Sequence, residues 1–344
     1  MKPRDHVRRA RDTAPVTAND PPRLRRDSPI PDEMKVGARH LRALAALIDE
    51  HVRADVPFAR PGSVAAADLQ DRSFDGPWGH ATREVVHEVG APMNAAADHL
   101  HAMAAVILAP GTVLALSTLT RTVLETLART CWLYEPGMTT RERVRRVYSV
   151  RLVSLGEQLN LVRGIAAPAS ERKEKSTGLE RRVLRIKAGA RGVGLNYVSN
   201  PNRVRGLART RYIERPVPRD QRLITEMFQT QASQPGSRAD EIGPVIHRLT
   251  SATAHGQSHG MLMFVLGAES VPATDGVVDV QLALDLSHFA NLVGSVVLAV
   301  NATSERLCAY YGWPTDPWKN ALRLAGESVH GWMELDRRRT PRTS

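Results

Sequence analysis

A chain of 344 residues with 42% hydrophobic and 24% charged residues is long enough to bury a large core and has an ordinary globular composition. Its 47 basic and 36 acidic residues leave a net charge of +11, which favours an anionic partner such as nucleic acid, although a generally Arg-rich composition produces the same charge. The two cysteines, the absence of an apolar signal region and the absence of a ~20-residue apolar run exclude a disulfide framework, a secretory signal and a membrane span, and predict a cytoplasmic protein with no membrane partner.

Ala, Leu and Arg dominate and only 5% of the residues are aromatic, which predicts an all-α helical bundle. Apolar residues recur with a 3.6-residue period over most of the chain, and we expect three of these stretches (112–134, 245–266 and 282–311) to pack together. The predicted helices are 33–54, 80–109 with a break near Gly90–Pro92, 112–134, 141–164, 170–188, 219–231, 244–267, 281–311 and 316–333.

The chain divides into four parts. Residues 1–31 form a basic arm that we predict to be disordered, either a solvated tail or a nucleic-acid-binding arm. Residues 32–110 hold the N-terminal helices, with residues 56–79 as a long connection rich in Pro and Gly. Residues 111–335 form the helical core, and residues 336–344 form a basic tail.

A basic insertion interrupts the predicted core at about 189–218. Between Arg181 and Arg215 ten side chains are basic and one is acidic, and glycines and two tyrosines lie among them. Basic residues interleaved with aromatic ones suit a phosphate backbone with stacked bases, while the alternative is a solvated, Arg-rich loop. We expect the four arginines from Arg203 to Arg211 to lie on a mobile, exposed segment. The predicted contacts to RNA or another polyanion are Arg191, Arg203, Arg205, Arg209, Arg211 and Tyr212.

The apolar stretch 112–134 contains three charged residues spaced by four, Arg121, Glu125 and Arg129. Two interpretations remain open. Either the three form an ion-pair ladder on an exposed helix face, or Arg121 and Glu125 face inward as a pair retained for geometry or function.

The stretch 244–267, taken as one helix, places Arg248, Ser251, His255 and His259 on one face before its apolar end. The two histidines have the i, i+4 spacing of metal ligands, but no Glu lies between them and no third ligand is evident. The chain also lacks a phosphate-binding loop and a GxSxG motif. The sequence therefore predicts no metal site and no cofactor.

The segment from Arg248 to His255 resembles the motif of the HEPN superfamily, an Arg followed by four to six residues and then a His. The preceding helix with Arg121 and Glu125, which ends in Trp-Leu-Tyr, strengthens the likeness to HEPN-like, abortive-infection-type bacterial proteins. The resemblance covers mainly residues 112–164 and 240–311.

The resemblance implies an all-α bundle that often forms a homodimer, and in active members a metal-independent ribonuclease acting as a toxin or phage-defence effector. Arg248 and His255 would then be catalytic, with Ser251, Arg121 and Glu125 completing the site. Glu125 is expected to orient Arg248 or to hold His255, and pairing with the carboxylate would favour a protonated imidazole that acts as an acid.

One departure is Leu249, since many active members of the family have a polar residue directly after the Arg. Three alternatives stand beside the ribonuclease: a non-catalytic HEPN-like module that binds nucleic acid or a partner protein, a polar seam that fixes helix register, and a metal-dependent hydrolase.

Overall fold

The computed structural model of the chain describes residues 30–52, 59–74, 76, 78–109, 113–164, 166–200, 210–231, 239–257 and 286–339. Within these ranges the protein is built of helices and one small two-stranded sheet, which confirms the all-α prediction. The elements are α1 (Asp32–Val52), α2 (Val64–Gln70), α3 (Ala81–His87), α4 (Gly90–Ile107), α5 (Val113–Leu133), α6 (Thr140–Gly164), α7 (Ala169–Gly192), β1 (Tyr197–Asn200), β2 (Thr210–Ile213), α8 (Asp220–Gln229), α9 (Ala239–Ala254), α10 (Leu286–Tyr311) and α11 (Asp316–Arg339).

Helix α10 lies at the centre of the core and contacts α2, α5, α8, α9 and α11. Because apolar side chains occupy most of its circumference, it must be surrounded by other helices. Among the described residues it is the one helix long and apolar enough to cross a membrane, and 67% of that apolar window is buried within the protein. Its contacts to α5 and α9, and the contacts between α5 and α9, confirm the predicted packing for the described parts of the three apolar stretches.

Most predicted helices lie within a few residues of the observed ones. The predicted break near Gly90 is confirmed, because α3 ends at His87 and α4 begins at Gly90. The backbone N–H of Glu142 donates to Thr139 Oγ1 at 3.2 Å, as the capping pattern predicts. Helix α11 extends beyond its predicted end and includes the first residues of the predicted basic tail.

The segment 56–79, predicted as a connection, contains a helix that was not predicted. Helix α2 is only seven residues long and is capped by Ser63, whose Oγ accepts from the N–H of Ala66 at 3.1 Å. A 3₁₀ turn, Arg72–Phe74, follows and buries Phe74 in the core. Seven residues are too few to show a helical period, so the Pro and Gly residues around α2 dominated the prediction.

The predicted insertion is partly regular structure. Helix α7 continues to Gly192, and β1 pairs antiparallel with β2, Tyr197 opposite Ile213. The hairpin packs on α6, where Ser149 Oγ accepts from the N–H of Ile213 at 3.0 Å. Residues 201–209 between the strands, with Arg203, Arg205 and Arg209, lie outside the described residues.

The predicted helix 244–267 is wrong at its C-terminal end, because α9 ends at Ala254. Gly256 takes a left-handed conformation with φ of +63°, which terminates the helix. His259 and the apolar stretch beyond it lie outside the described residues, as do most of the predicted N-terminal arm and the last five residues of the chain.

Candidate functional site

Helices α5 and α9 pack against each other along their polar faces. Helix α5 contributes Arg121 and Glu125, and the α9 segment contributes His247, Ser251 and His255, again spaced by four residues. Arg121 lies beside Ser251 and His255, and Glu125 lies beside His247, so the two helices run in opposite directions. We refer to these five residues as the α5–α9 cluster.

Arg121 is the centre of the cluster. Its Nε donates to Glu125 Oε1 at 2.7 Å, and its Nη1 donates to Ser251 Oγ at 3.2 Å. The same Nη1 lies 3.2 Å from Nε2 of His255. The guanidinium therefore links the carboxylate on its own helix to the hydroxyl and the imidazole of the facing helix.

His255 occupies the C-cap of α9 and is exposed to solvent. The N–H of Gly256 donates to the Thr253 carbonyl at 3.0 Å, and the N–H of Gln257 donates to the Ala252 carbonyl at 2.9 Å, which together form a Schellman motif. This termination turns the chain away after His255. The imidazole is thus held at the mouth of the cluster, where a ligand can reach it.

The contact with Arg121 sets the role of the His255 ring. A guanidinium has only donors, so Nε2 must accept, and the ring proton then resides on Nδ1. An imidazole with an unprotonated Nε2 is a proton acceptor. This differs from the expectation that Glu125 would pair with His255 and favour an acid, because the carboxylate is bound by Arg121 and its neighbouring histidine is His247.

His247, which was not among the predicted site residues, lies next to Glu125. Its Nε2 is 4.0 Å from Glu125 Oε1, and its side chain is 16% exposed. Burial lowers the pKa of His247 below its usual value of 6.5, the Arg121 charge lowers it further, and the Glu125 charge opposes both. The available signal was its position four residues before Ser251 and eight before His255.

Arg248, by contrast, is exposed, and the structure does not pair it with Glu125. It lies two turns before His255 on almost the same helix face, at the rim of the cluster. The expected orientation of Arg248 by Glu125 is therefore wrong. Arg121 takes this place because residues four apart on one helix are already neighbours.

The spacing of Arg121, Glu125 and Arg129 does not form a simple ladder. Arg129 pairs with Asp220 of α8 at 2.8 Å, whereas Glu125 pairs with Arg121. The side chains of Arg121 and Glu125 are 23% and 24% exposed. The pair thus lies at the seam between α5 and α9. Its burial is intermediate between the exposed ladder and the inward-facing pair that the sequence left open.

The described residues of the predicted polyanion site have varied surroundings. Arg191 is exposed in the last turn of α7, and Tyr212 is half-buried in β2. Arg211, expected on an exposed segment, instead has a side chain that is 13% exposed and pairs with Glu180 of α7 at 3.1 Å. This pair links β2 to α7 and partly neutralises the Arg211 charge.

Within the part of the chain that the structure describes, no group of three His, Cys, Asp or Glu side chains is arranged to hold a metal ion. Cys131 and Cys308 are both buried and free. No family model, curated protein or solved structure matches this chain.

Proposed function

We propose that this protein is a metal-independent ribonuclease of the HEPN-like type and that the α5–α9 cluster is its reaction centre. The observation that supports the proposal is the contact of Arg121 Nη1 with the exposed Nε2 of His255 at 3.2 Å. It places a cation that can bind phosphate beside an accessible proton acceptor. The resemblance would make the protein a cytoplasmic toxin or phage-defence effector, acting as a homodimer.

The proposed reaction is attack of a ribose 2′-hydroxyl on the adjacent phosphorus. Nε2 of His255 takes the hydroxyl proton while the 2′-oxygen forms its bond to phosphorus. The bond from phosphorus to the 5′-oxygen breaks, and the proton passes from the imidazolium to that oxygen, directly or through water. The products are a 2′,3′-cyclic phosphate and a free 5′-hydroxyl.

The negative charge of the pentavalent phosphate requires nearby cations. Arg121 supplies one, since a phosphate oxygen can replace Ser251 or His255 as the acceptor of an Nη1 hydrogen. Arg248 at the rim supplies the second. Glu125 holds the guanidinium through Nε and leaves the Nη1 side facing the entering phosphate.

A non-catalytic role is the second candidate, and the packing of the pair favours it. Arg121 and Glu125 are about three-quarters buried, and each has a partner within the cluster. Such a pair can fix the register of α5 against α9 and leave His255 and Arg248 to bind RNA or a partner protein without cleaving it.

The deciding experiment measures cleavage of a fluorogenic RNA in EDTA by the wild type and by His255→Ala and Arg121→Gln. If the cluster is the reaction centre, we expect each variant to lose about 100-fold or more of the activity, because it lacks its proton acceptor or its phosphate-binding cation. The matched controls are His330→Ala and Arg323→Gln. His330 is an exposed histidine on α11, and Arg323 forms an exposed i, i+4 pair with Glu327. Both controls should keep full activity.

If His255→Ala retains the activity of the wild type, the proposed role of His255 is contradicted. A wild type that cleaves no RNA, but binds it with an affinity that Arg248→Gln weakens, would support the second candidate. Melting temperatures of all variants show whether a loss of activity reflects unfolding.

A further inference from the structure

A cavity of about 460 Å³ lies between α5, α6, α8 and α10, apart from the α5–α9 cluster. Its apolar wall includes Trp132 of α5 and Leu223 and Met227 of α8. Arg306 of α10 lines the same space, and we refer to it as the Arg306 cavity. The volume falls in the range of about 300–1,000 Å³ typical of small-molecule sites.

The charged side chains around the cavity are unequally paired. Glu135 pairs with Arg146 at 2.8 Å, and Glu226 pairs with Arg222 at 2.6 Å. Arg306 is the third arginine of the lining, and within the described residues it has no carboxylate partner. The cavity therefore carries one positive charge that its own acids do not balance.

The hydrogen bonds of Arg306 go to uncharged acceptors. Its Nη1 donates to Cys131 Sγ at 3.2 Å and to the Ala302 carbonyl at 3.0 Å, and its Nη2 donates to Thr230 Oγ1 at 2.9 Å. Its Nε is buried and meets no acceptor among the described residues. The three bonds use both N–H groups of Nη1 and one of Nη2, so the second N–H of Nη2 remains for an incoming acceptor.

The adjacent acid, Glu305, is held by other groups. Its carboxylate accepts from Gln231 Nε2 at 3.2 Å and from Asn301 Nδ2 at 3.1 Å. A planar guanidinium with donors to spare matches the two oxygens of a carboxylate or phosphate, and such charge-assisted bonds are stronger than neutral ones.

We propose that the Arg306 cavity binds a small organic anion, namely a carboxylate or phosphate monoester on an apolar body. The anionic group pairs with Arg306, and the body packs against Trp132, Leu223 and Met227. Trp132 is held in place by Arg146, whose guanidinium lies over its ring at 4.8 Å from the centroid. The site is independent of the proposed ribonuclease activity.

The test uses the full-length protein with four probes: benzoate, phenyl phosphate, inorganic phosphate and the neutral analogue benzamide. Titration calorimetry and thermal melting should show binding of benzoate or phenyl phosphate, with a melting temperature that rises with ligand concentration. The comparison of these two anions identifies the preferred head group. Inorganic phosphate and benzamide should each bind at least 10-fold more weakly, because the phosphate lacks the apolar body and benzamide lacks the charge.

Two variants locate the site. Arg306→Gln should abolish the binding of the anion, and Arg306→Lys, which keeps the charge, should retain part of it. The matched control is Arg323→Gln, an exposed arginine of α11 that is paired with Glu327 and does not line the cavity, and this variant should bind within about 3-fold of the wild type. The proposal is overturned if no anion binds at about 10 mM, if benzamide binds as well as benzoate, or if folded Arg306→Gln binds like the wild type.

Discussion

Two arginine–carboxylate pairs in this protein share their chemistry but differ in their surroundings. Arg143 on α6 donates from Nε to Asp68 Oδ2 at 2.6 Å and from Nη2 to Oδ1 at 2.7 Å, and the two side chains are 5% and 2% exposed. In the Arg121–Glu125 pair, one nitrogen meets one oxygen, and the side chains are 23% and 24% exposed. The two pairs therefore differ more in their burial than in their N–O distances.

Further hydrogen bonds surround the buried Arg143–Asp68 pair. Asp68 on α2 also accepts from Thr140 Oγ1 at 2.8 Å and from the Tyr310 hydroxyl at 2.7 Å, and Arg143 Nη1 donates to the Met138 carbonyl. Burial and the Asp68 charge raise the pKa of Tyr310, so its hydroxyl keeps the proton that it donates. These contacts tie together α2, α6 and α10.

The α5–α9 cluster remains open on one side. Arg121 has partners on two helices, yet its Nη1 faces an exposed imidazole at the end of α9. An arginine–carboxylate pair is therefore structural where every donor nitrogen has a buried partner, and it is able to accept a ligand where one donor nitrogen meets an exposed side chain. The following variants test that contrast.

The largest effect is expected from Asp68→Asn. The substitution leaves the Arg143 charge buried without a counter-charge, and we expect the free energy of unfolding to fall by about 3–5 kcal/mol. Urea denaturation measures the change. The matched control is Asp98→Asn, whose side chain is 86% exposed on α4 and whose substitution should change stability by less than about 0.5 kcal/mol. If Asp68→Asn lowers the free energy of unfolding as little as Asp98→Asn does, the Arg143–Asp68 pair does not differ from an exposed site in its contribution to stability.

A smaller effect is expected from Glu125→Gln, because solvent partly compensates a pair at the helix seam. We expect the free energy of unfolding to fall by about 1 kcal/mol, measured in the same urea experiment. The control is Glu327→Gln in the exposed i, i+4 pair with Arg323, which should lose a few tenths of a kcal/mol.

The two pairs should also respond differently to salt. At roughly 1 M salt the loss caused by Glu125→Gln should shrink, while the loss caused by Asp68→Asn should stay the same, because mobile ions screen only the accessible pair. Equal salt dependence of the two losses would contradict the assignment of one closed and one open pair.

The smallest effect concerns pH. The pKa of His247 is lowered in the folded protein, so the unfolded chain binds more protons, and stability falls as the pH drops below about 6.5. Thermal melting from pH 7.5 to 5 should show a smaller decline for His247→Gln than for the wild type. The exposed His330→Gln serves as the control, and identical pH profiles of wild type and His247→Gln would show that His247 does not carry this dependence.

Local pattern was sufficient for most helices and failed where the pattern was short or ambiguous. The end of α9 had a usable signal, the Gly directly after His255, but the apolar residues beyond it suggested that the helix continued. The β1–β2 hairpin was hidden among glycines and arginines and is held by α6 and α7. Asp68 had no signal, because its partner Arg143 is 75 positions away and α2 is very short.

The sequence alone determines that the protein is all-α and that α5 and α9 each have a polar face. Residues three and four positions apart lie on the same side of a helix, so this pattern can be read without the tertiary structure. Tertiary structure alone decided that Arg121, and not Arg248, meets His255 and Ser251. That contact joins residues 130 or more positions apart and depends on how each helix is rotated about its own axis. The burial of neighbouring apolar side chains sets this rotation, and that burial involves the whole core.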